Sequence, residues 1–330
     1  MTIELIDEII CTLIIAFAID VTIGEPPNKL HPVVQIGKTV SLFTRITKQV
    51  SHKKGTNFEK IMGSVVALGL PIVVGLIVYF ISVQSFQLLG AIIFVLLSSI
   101  ILKVSFSIKA MDNHINNVID ELKNSNLEQA RKNLARIVSR NTDSLSESKI
   151  LSACIECVAE SFVDGILSPL FYYGFLNTPG AMVYRTVNTL DSMIGYKDDY
   201  HIHYGLMAAM LDTLLNYVPA RISPAFLIPA LMICRNDWKN SVRILKRDRN
   251  RVESSNAGIP MAIMAGGLNT QLEKTNHYKL GDMDEEPTIQ KCLTSLKVTK
   301  IATVICITVF IIPVMVILNH LSWWNIFFGL

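Results

Sequence analysis

Charged residues are scarce in this chain, and their absence from long stretches is its first notable feature. Of its 330 residues 17% are charged and 51% are hydrophobic, whereas soluble domains average about 25% charged. Residues 61–81 and 86–102 contain no charged side chain, and His320 is the only His, Lys, Arg, Asp or Glu after 300. A membrane-spanning helix needs roughly 20 apolar residues. We therefore predict three spanning helices, at 61–81, 86–104 and 301–319.

The apolar run at 9–23 lacks the marks of a signal peptide. It has no basic flank and no small-residue cleavage site, and Glu4, Asp7 and Glu8 precede it. A signal peptide would begin with positive charge. Because Asp20 also interrupts the run, we interpret 9–23 as a retained, partly embedded helix.

Closely spaced cysteines are also few. Of the six cysteines only Cys154 and Cys157 form a close pair, and a zinc ribbon needs a second pair. The pair lies on an apolar helical stretch, where cysteine behaves as a small buried apolar residue. This spacing gives no support for a zinc ribbon.

Lysine and arginine indicate the orientation of the chain in the membrane. They crowd 29–60, 103–149 and 235–300 and are absent from 82–85 and from the C-terminal tail. Basic loops stay on the cytoplasmic side. The net charge of +3 is too small to indicate a nucleic-acid partner. We predict a multi-pass protein of the cell membrane with its active site facing the cytoplasm.

The predicted fold is an all-α, polytopic membrane bundle forming a single domain over 1–330. Its helical segments at 105–200 and 235–300 are expected on the cytoplasmic side. Residues 205–234 are apolar enough to enter the membrane, yet basic segments flank them on both sides, and three prolines interrupt them. Irregular backbone at membrane depth has to be covered by protein or line a wet cavity. A re-entrant or buried helix pair therefore fits 205–234 better than a full crossing.

Three acidic residues recur at four-residue spacing on an otherwise apolar predicted helix. Glu156, Glu160 and Asp164 would share one narrow face, and like charges at this spacing destabilise an isolated helix. A bound Mg²⁺, which favours carboxylate and phosphate oxygens, would relieve the repulsion. The alternative is the wet face of a helix lying on the membrane surface. We predict a metal site at these three residues, with Glu156 and Glu160 also catalytic.

Asp212 lies within an apolar stretch, and Asn216 follows one turn later. A carboxylate at membrane depth is costly and is a functional candidate by default. Arg221 lies nearby in the sequence, so a salt bridge to Asp212 is the structural alternative. We predict a catalytic role for Asp212 and phosphate binding by Arg221.

Further polar residues stand out against their apolar surroundings. Asn188 and Asp191 either begin a helix as a cap or contribute to the site together with Arg185, which a cap leaves unexplained. A capping box starting at Ser144 likewise leaves Arg140 unexplained. The remaining candidates lie in two loops, a proline-rich one with His31 and a small-residue one with Asn256.

Acids for Mg²⁺ and arginines for phosphate together favour phosphoryl or nucleotidyl chemistry, in which catalysis is mainly positioning and charge neutralisation. A phosphate-binding P-loop is not among the motifs. Gly37-Lys38-Thr39 resembles its end, but Pro32 occupies the position where the pattern needs a glycine.

Several of these motifs together resemble the CobD/CbiB family of cobalamin biosynthesis, the adenosylcobinamide-phosphate synthases. The resemblance extends from Asp20 to about Gly281. Two motifs depart from the family, which usually has Asp at the position of Asn141 and Ser-Pro-Asn-Ser-Gly where this chain has Ser254-Ser255-Asn256-Ala257-Gly258. The motifs that carry the resemblance are Gly24-Glu25-Pro26, His31-Pro32-Val33, Arg140-Asn141-Thr142, Glu156 to Gly165, Tyr184-Arg185, Asn188-Thr189-Leu190-Asp191-Ser192-Met193, Asp212 and Pro219-Ala220-Arg221.

The resemblance implies membrane-bound amide ligation, in which a corrinoid substrate, adenosylcobyric acid, is joined to aminopropanol or its O-phosphate. A carboxylate and an amine do not condense spontaneously in water, so ATP with Mg²⁺ is expected as cosubstrate. The expected catalytic residues are Glu156, Glu160, Asp191 and Asp212, and the expected substrate- or phosphate-binding residues are His31, Arg140, Arg185, Asn188, Arg221 and Asn256. A non-catalytic membrane sensor or a transporter of the same fold is the alternative. The sequence leaves open whether the protein forms a homo-oligomer.

Overall fold

The computed structural model describes residues 2–29, 31–196 and 198–329, leaving aside the side chains of 2–4 and 52–54. Nearly all regular structure in these residues is helical, as predicted, and the strands described form one antiparallel hairpin. The helices are α1 (Thr2–Thr22), α2 (Pro32–Lys54), α3 (Thr56–Gln84), α4 (Ala91–Lys103), α5 (Ile108–Lys123), α6 (Leu127–Leu134), α7 (Glu147–Phe162), α8 (Ser168–Ile194), α9 (Leu206–Leu215), α10 (Tyr217–Ile222), α11 (Pro224–Ile233), α12 (Trp238–Asp248), α13 (Gly258–Gly267), α14 (Ile289–Cys306), α15 (Ile312–His320) and α16 (Trp323–Phe328). The strands are β1 (Leu272–Lys274) and β2 (Tyr278–Leu280), and π-helical turns occur at Ser85–Leu89, Val163–Leu167 and Ile307–Ile311.

Three helical segments in the described residues are long and apolar enough to cross a membrane, as the sequence predicted, and the number of crossings stays a prediction. They run over Thr56–Leu89, Ala91–Lys123 and Ile289–His320. Each extends past at least one end of the uncharged run that predicted it, because the helices continue into more polar sequence, although the second begins only at Ala91. Residues 205–234 form a bent pair, Leu206–Ile222 and Pro224–Ile233, with 43° between them. The pair fits a broken span as well as a re-entrant path, so the re-entrant path stays a prediction.

The break between the first two spans lies at Gly90, five residues after the segment 82–85 that separates the two uncharged runs. A π-helical turn, Ser85–Leu89, continues α3 past the serines. Ser85 does not end the helix, and its hydroxyl donates to the Ser82 carbonyl at 3.0 Å, a local bond that a helix accommodates. Gly90 has φ = 82°, which favours glycine.

The chain divides into two compact units, each assembled from separated stretches of sequence. Unit 1 comprises Met1–Ser107, Ser168–Asn216 and Phe310–Leu330. Unit 2 comprises Ile108–Leu167 and Tyr217–Val309. The single domain predicted for 1–330 stays a prediction.

The core of unit 1 joins α2, α3, α8 and α9. α2 folds back on α3 across Gly55, and the Lys48 ammonium meets the Glu59 carboxylate at 2.8 Å beside this turn. The positive φ of Gly55, 79°, explains why a glycine occupies the turn. The buried side chains of this core come from all four helices and from Val104 and Tyr204, and they are Ile36, Val40, Val66, Ala67, Val78, Val104, Met182, Leu190, Ile194, Tyr204 and Ala208.

The residues assigned to α8 form a helical hairpin within unit 1. Leu176 and Asn177 have non-helical backbone angles, and Asn177 has φ = 54°. The ring of Tyr172 stacks on that of Tyr184 with 5.4 Å between centroids, whereas 12 residues of one straight helix would span about 18 Å. The two halves of α8 therefore lie side by side.

The second half of this hairpin lies along the span α3. The hydroxyls of Ser82 and Thr178 are 3.1 Å apart, and Val183 packs directly on Gly75. Both α3 residues belong to the long apolar helix that is able to span the membrane. Residues 178–194 thus pack beside α3, whereas the sequence assigned 105–200 as a whole to the cytoplasmic side, and that assignment stays a prediction.

Unit 2 is built around α13, whose ten residues are all buried. A side chain at Gly266 would collide with the backbone of Asn240 and Ser241 on α12. The alanine, methionine and glycine composition of α13 therefore allows α12 to approach closely. The β1–β2 hairpin pairs Leu272 with Leu280, and α7 packs against both this hairpin and α13.

The start of α7 differs in one detail from the predicted capping box. The N-cap is Ser146, whose Oγ accepts a hydrogen bond from the Lys149 amide at 3.4 Å, and Ser144 is not the cap. Asn141 accepts a bond from the Asp143 amide at 2.8 Å, a turn typical of asparagine. These local bonds shape the segment that leads from Arg140 into α7.

Candidate active site

Asp212 on α9 is held by two carboxamide side chains of unit 1. Asn188 donates to its Oδ1 at 3.3 Å, and Asn216 donates to its Oδ2 at 3.0 Å. Both donors are neutral, so these contacts orient the carboxylate without neutralising its charge. The ion pair between Asp212 and Arg221, left open by the sequence, stays a prediction because the two residues belong to different units.

Two hydroxyl groups fix the orientation of Asn216, which is 1% exposed. Ser168 donates to its Oδ1 at 2.6 Å and Tyr184 donates to the same oxygen at 2.8 Å. Because the carboxamide oxygen accepts both bonds, the amide nitrogen faces Asp212. Sequence reasoning gave Ser168 and Tyr184 no separate role, since a single hydroxyl within an apolar segment forms no recognisable pattern.

Arg185 is connected to Asp212 through Asn188. One terminal guanidinium nitrogen of Arg185 donates to the Asn188 Oδ1 at 3.1 Å, one turn along α8, and the Asn188 Nδ2 continues to Asp212. Asp191 lies a further turn along the same helix. The alternative that Asn188 and Asp191 cap a helix is wrong, because both lie inside α8. The structure thus joins three predicted site residues, Arg185, Asn188 and Asp212, in one chain of hydrogen bonds.

A second polar cluster of unit 1 surrounds Lys103. Its ammonium lies 2.7 Å from the Glu25 carboxylate and 3.4 Å from that of Asp20. Lys103 is 2% exposed and Asp20 is fully buried. Although Lys103 lies at the end of the predicted span 86–104, its charge is neutralised inside the protein.

His31 belongs to the same cluster and uses both ring nitrogens. Its Nε2 lies 2.9 Å from the Glu25 carboxylate, and its Nδ1 accepts a bond from the Val33 amide at 3.2 Å. The second contact makes His31 the N-cap of α2. Burial raises the pKa of Glu25, but hydrogen bonds from His31 and Lys103 outweigh it, so that the pKa lies below its ordinary value. The substrate-binding role predicted for His31 stays a prediction.

Both carboxylate oxygens of Glu156, in unit 2, accept hydrogen bonds from neighbouring side chains. Its Oε1 accepts from Ser152 at 2.8 Å, and its Oε2 accepts from the Tyr278 hydroxyl at 2.7 Å and forms an ion pair with Arg140. The predicted repulsion of unpaired acids is therefore wrong for Glu156, because Arg140, 16 residues earlier, supplies the opposite charge. Sequence spacing gave no sign of this pairing.

The Glu156 cluster also fastens the β1–β2 hairpin to α7. The Glu273 amide donates to the Ser152 Oγ at 2.9 Å, and Arg140 donates to the Glu273 carbonyl at 3.3 Å. Burial lowers the pKa of Arg140, but the Glu156 carboxylate overrides this and raises it. Burial, and then Glu156, raise the pKa of Tyr278, so the phenol remains a donor.

The predicted metal site fits the structure poorly at Glu156. Both of its oxygens already accept hydrogen bonds, and an ion would have to displace Arg140 or Tyr278. Asp164 lies in the π-helical turn Val163–Leu167, which interrupts the regular spacing after Glu160. In the described part of the chain, no three or more His, Cys, Asp or Glu side chains are grouped to hold a metal ion. Metal binding by Glu160 and Asp164 stays a prediction.

Arg221, predicted to bind phosphate, is fixed by its neighbours in unit 2. Its guanidinium carbon lies 3.3 Å from the centre of the Tyr217 ring. One terminal nitrogen donates to the Tyr217 carbonyl at 2.8 Å and to the Asn256 Oδ1 at 3.1 Å. The structure therefore brings together Arg221 and Asn256, two residues that the sequence singled out separately.

The chain matches the model of one protein family, described as "CobD/Cbib protein", over residues 13–308. A Thermoplasma acidophilum protein named "Probable cobalamin biosynthesis protein CobD" is 39% identical, with 94% of this chain and 99% of the relative covered. The "Cobalamin biosynthesis protein CobD" of Dehalococcoides mccartyi is 36% identical, with 83% and 87% covered, and that of Leptospira interrogans is 36% identical, with 90% and 95% covered. No solved structure matches the chain. Since the family model covers most of the chain and these relatives are matched over nearly their full lengths, the protein belongs to the CobD/CbiB family of cobalamin biosynthesis proteins.

Proposed function

We propose that this protein is an acid–amine ligase that joins a propionate of adenosylcobyric acid to aminopropanol or its O-phosphate. The product would be adenosylcobinamide or its phosphate, and ATP with Mg²⁺ would be the cosubstrate. Membership of a cobalamin biosynthesis family supports the pathway. The particular reaction is supported by the chemistry that the polar side chains offer.

The observation that carries the proposal is the hydrogen-bonded chain from Arg185 through Asn188 to Asp212. A carboxylate fixed by two neutral amides keeps the capacity to accept a proton, and Arg185, which contacts Asn188 one turn away on α8, supplies positive charge. Holding this group among apolar helices is costly, which makes it a functional candidate. Amide ligation needs both functions, a base for the amine and a cation for the developing negative charge.

The proposed reaction has two steps. A carboxylate oxygen of the corrinoid attacks the γ-phosphorus of ATP, so that an acyl phosphate forms and ADP leaves. The amine nitrogen then attacks the acyl carbon, the carbon–oxygen bond to phosphate breaks, and the amine proton passes to a base. Asp212 is our candidate for that base, and Asn188 and Asn216 hold its two oxygens.

Arginines serve this reaction by binding anions. The planar guanidinium forms paired hydrogen bonds with phosphate or carboxylate. Arg185 is our candidate for the substrate carboxylate or its acyl phosphate, because Asn188 links it to Asp212. Arg221 is our candidate for a phosphate group, because the Tyr217 ring and Asn256 hold its guanidinium in one orientation while other N–H groups remain available. No step depends on a metal held by Glu156.

We also propose that the protein lies in the cell membrane with this site reached from the cytoplasm. The basic residues before and after the spans support this orientation, and ATP is a cytoplasmic cosubstrate. An impermeant thiol reagent should label a cysteine introduced at exposed Asn250 only after the cytoplasmic side is opened. Labelling of intact cells at this position would contradict the orientation.

The test of the ligase is an assay of the purified protein with adenosylcobyric acid, ATP, Mg²⁺ and each amine, with the product mass as readout. We expect a mass increase equal to the amine minus water, with one ADP per product. Asp212→Asn should lose at least about 100-fold in rate, within the range for removing a general base, while the exposed control Asp143→Asn stays unchanged. Full activity of Asp212→Asn would rule out its role as base, and binding without product would favour the sensor alternative.

A further inference from the structure

A cavity between α2 and α8 in unit 1 is lined by apolar side chains and two cations. Its volume is about 580 Å³, within the range that small ligands occupy. Val33, Val34 and Leu42 from α2 and Met193 from α8 provide the apolar lining. Every lining residue is neutral or basic, and the complete lining is Val33, Val34, Gly37, Lys38, Ser41, Leu42, Arg45, Thr189 and Met193.

The two cations, Lys38 and Arg45, have no acidic partner in the described residues. The ammonium of Lys38 has one polar contact, 3.5 Å from the amide oxygen of Gln35. By contrast, two other lysines of unit 1 are neutralised, Lys48 by Glu59 and Lys103 by Glu25. Lys38 and Arg45 are seven residues apart and therefore lie on the same side of α2, about 10 Å along its axis. The cavity between them is positively charged.

Hydroxyl groups and a close helix contact complete the cavity. Ser41 lies one turn from both cations on α2 and also lines the cavity. A Cβ atom at Gly37 would lie 3.1 Å from the Met193 sulfur, so glycine allows α2 and α8 to approach at the cavity wall. Thr189 belongs to the same stripe of α8 as Arg185, four residues earlier, and its hydroxyl donates to the Arg185 carbonyl at 2.7 Å.

We propose that this cavity binds an organic phosphate, with Lys38 and Arg45 on the phosphate group and the apolar lining against the organic part. Two cations and a hydroxyl are the donors that bind phosphate oxygens. The apolar lining favours a phosphate ester over inorganic phosphate. Gly37-Lys38-Thr39 is thus given a role without a P-loop, because it lies on a helix beside the cavity. The inference does not depend on the proposed ligase, since it concerns binding alone.

The experiment is a binding titration of the full-length purified protein with phenyl phosphate, an ester that combines both parts of the expected ligand. Inorganic phosphate and phenol are the comparison ligands, because each carries only one of the two parts. We expect phenyl phosphate to bind tighter than either. The variant Lys38→Gln/Arg45→Gln should bind it about tenfold more weakly or worse, from the loss of charged hydrogen bonds. Lys246→Gln/Arg249→Gln removes the same charges from exposed positions of unit 2 and should bind within twofold of the parent.

A third variant tests the apolar lining separately. Met193→Ala should weaken the binding of phenyl phosphate and leave the weak binding of inorganic phosphate unchanged. Competition then identifies the natural source of the phosphate: displacement by ATP or aminopropanol phosphate indicates a soluble ester, and displacement by phosphatidylglycerol in mixed micelles indicates a lipid. Either result supports the site. Equal binding by Lys38→Gln/Arg45→Gln and the parent, or by phenol and phenyl phosphate, would overturn the proposal whatever the ligase assay shows.

Discussion

The Lys103 ammonium lies 2.7 Å from the Glu25 carboxylate, although Lys103 ends an apolar helix and is almost completely buried. Fully buried Asp20 lies on its other side. Lys103 therefore ties α4 to the end of α1 and to the loop before α2. His31, which caps α2, also contacts Glu25. The charges serve to fix three segments of unit 1 relative to one another.

Removal of Lys103 should strongly destabilise the protein. Lys103→Met leaves the buried Asp20 carboxylate without its cation, and breaking a buried pair in this way costs about 3–5 kcal/mol. Thermal unfolding in detergent measures the effect, with exposed Lys60→Met as the control. Asp20→Asn/Lys103→Met should recover part of the loss because the buried charge is then gone. If Lys103→Met has the same melting temperature as the Lys60→Met control, this account is contradicted.

Much of the fold could be predicted from the sequence because apolar runs dictate spans. The three uncharged stretches lie largely in helices of spanning length. Residues 205–234, which prolines interrupt, form a bent helix pair. The α8 hairpin could not be predicted. It depends on Asn177 adopting a positive φ and on Tyr172 stacking on Tyr184, and neither changes the apolar pattern along 168–194.

The candidate site was predictable residue by residue but not in its pairings. Unusual polar residues in apolar surroundings marked Arg185, Asn188 and Asp212, and these do form one chain of hydrogen bonds. Spacing along one helix grouped Glu156 with Glu160, whereas the contacts of Glu156 come from Arg140 and Tyr278, 16 and 122 residues away. Long-range pairing of this kind leaves no local signal.

Acid should destabilise unit 2 through Asp248, a buried carboxylate on α12 paired with Arg247 and Arg251. Burial raises its pKa, but hydrogen bonds from Arg247 and the Gly281 amide outweigh this and lower it. A carboxyl group with a lowered pKa stabilises the fold above its unfolded value, near 4, and loses this contribution as the pH falls through the folded value.

Melting temperatures between pH 7 and pH 3 test this dependence on Asp248. The parent should lose stability below about pH 4. Asp248→Asn should be less stable by about 1.5–3 kcal/mol at pH 7, the range for charged hydrogen bonds, and should show a smaller further loss in acid. Exposed Asp143→Asn is the control. An equal acid slope in Asp248→Asn and the parent would exclude Asp248 as the cause.

Replacing Arg185 or Arg221 by lysine should impair ligation although the charge is kept. Lysine lacks the planar fork that bonds Asn188 or stacks on Tyr217. We expect each variant to lose about 1.5–3 kcal/mol of transition-state stabilisation, or roughly tenfold or more in kcat/KM. Arg249→Lys, at an exposed position, is the control. If Arg221→Lys keeps activity within twofold and loses only thermal stability, the role of Arg221 is structural.

Glu156 and Glu160 should separate into a structural and a catalytic residue when each is changed to glutamine. Glu156→Gln removes the ion pair to Arg140 and should lower the free energy of unfolding by about 1.5–3 kcal/mol, because the β1–β2 hairpin is fastened there. Glu160 is exposed, so Glu160→Gln should leave the melting temperature unchanged. If Glu160 binds Mg²⁺ with ATP as predicted, this variant loses ligation at every Mg²⁺ concentration. The mirror-image result, an active Glu160→Gln and a stable but inactive Glu156→Gln, would return the metal to Glu156 and require Arg140 to move away when it binds.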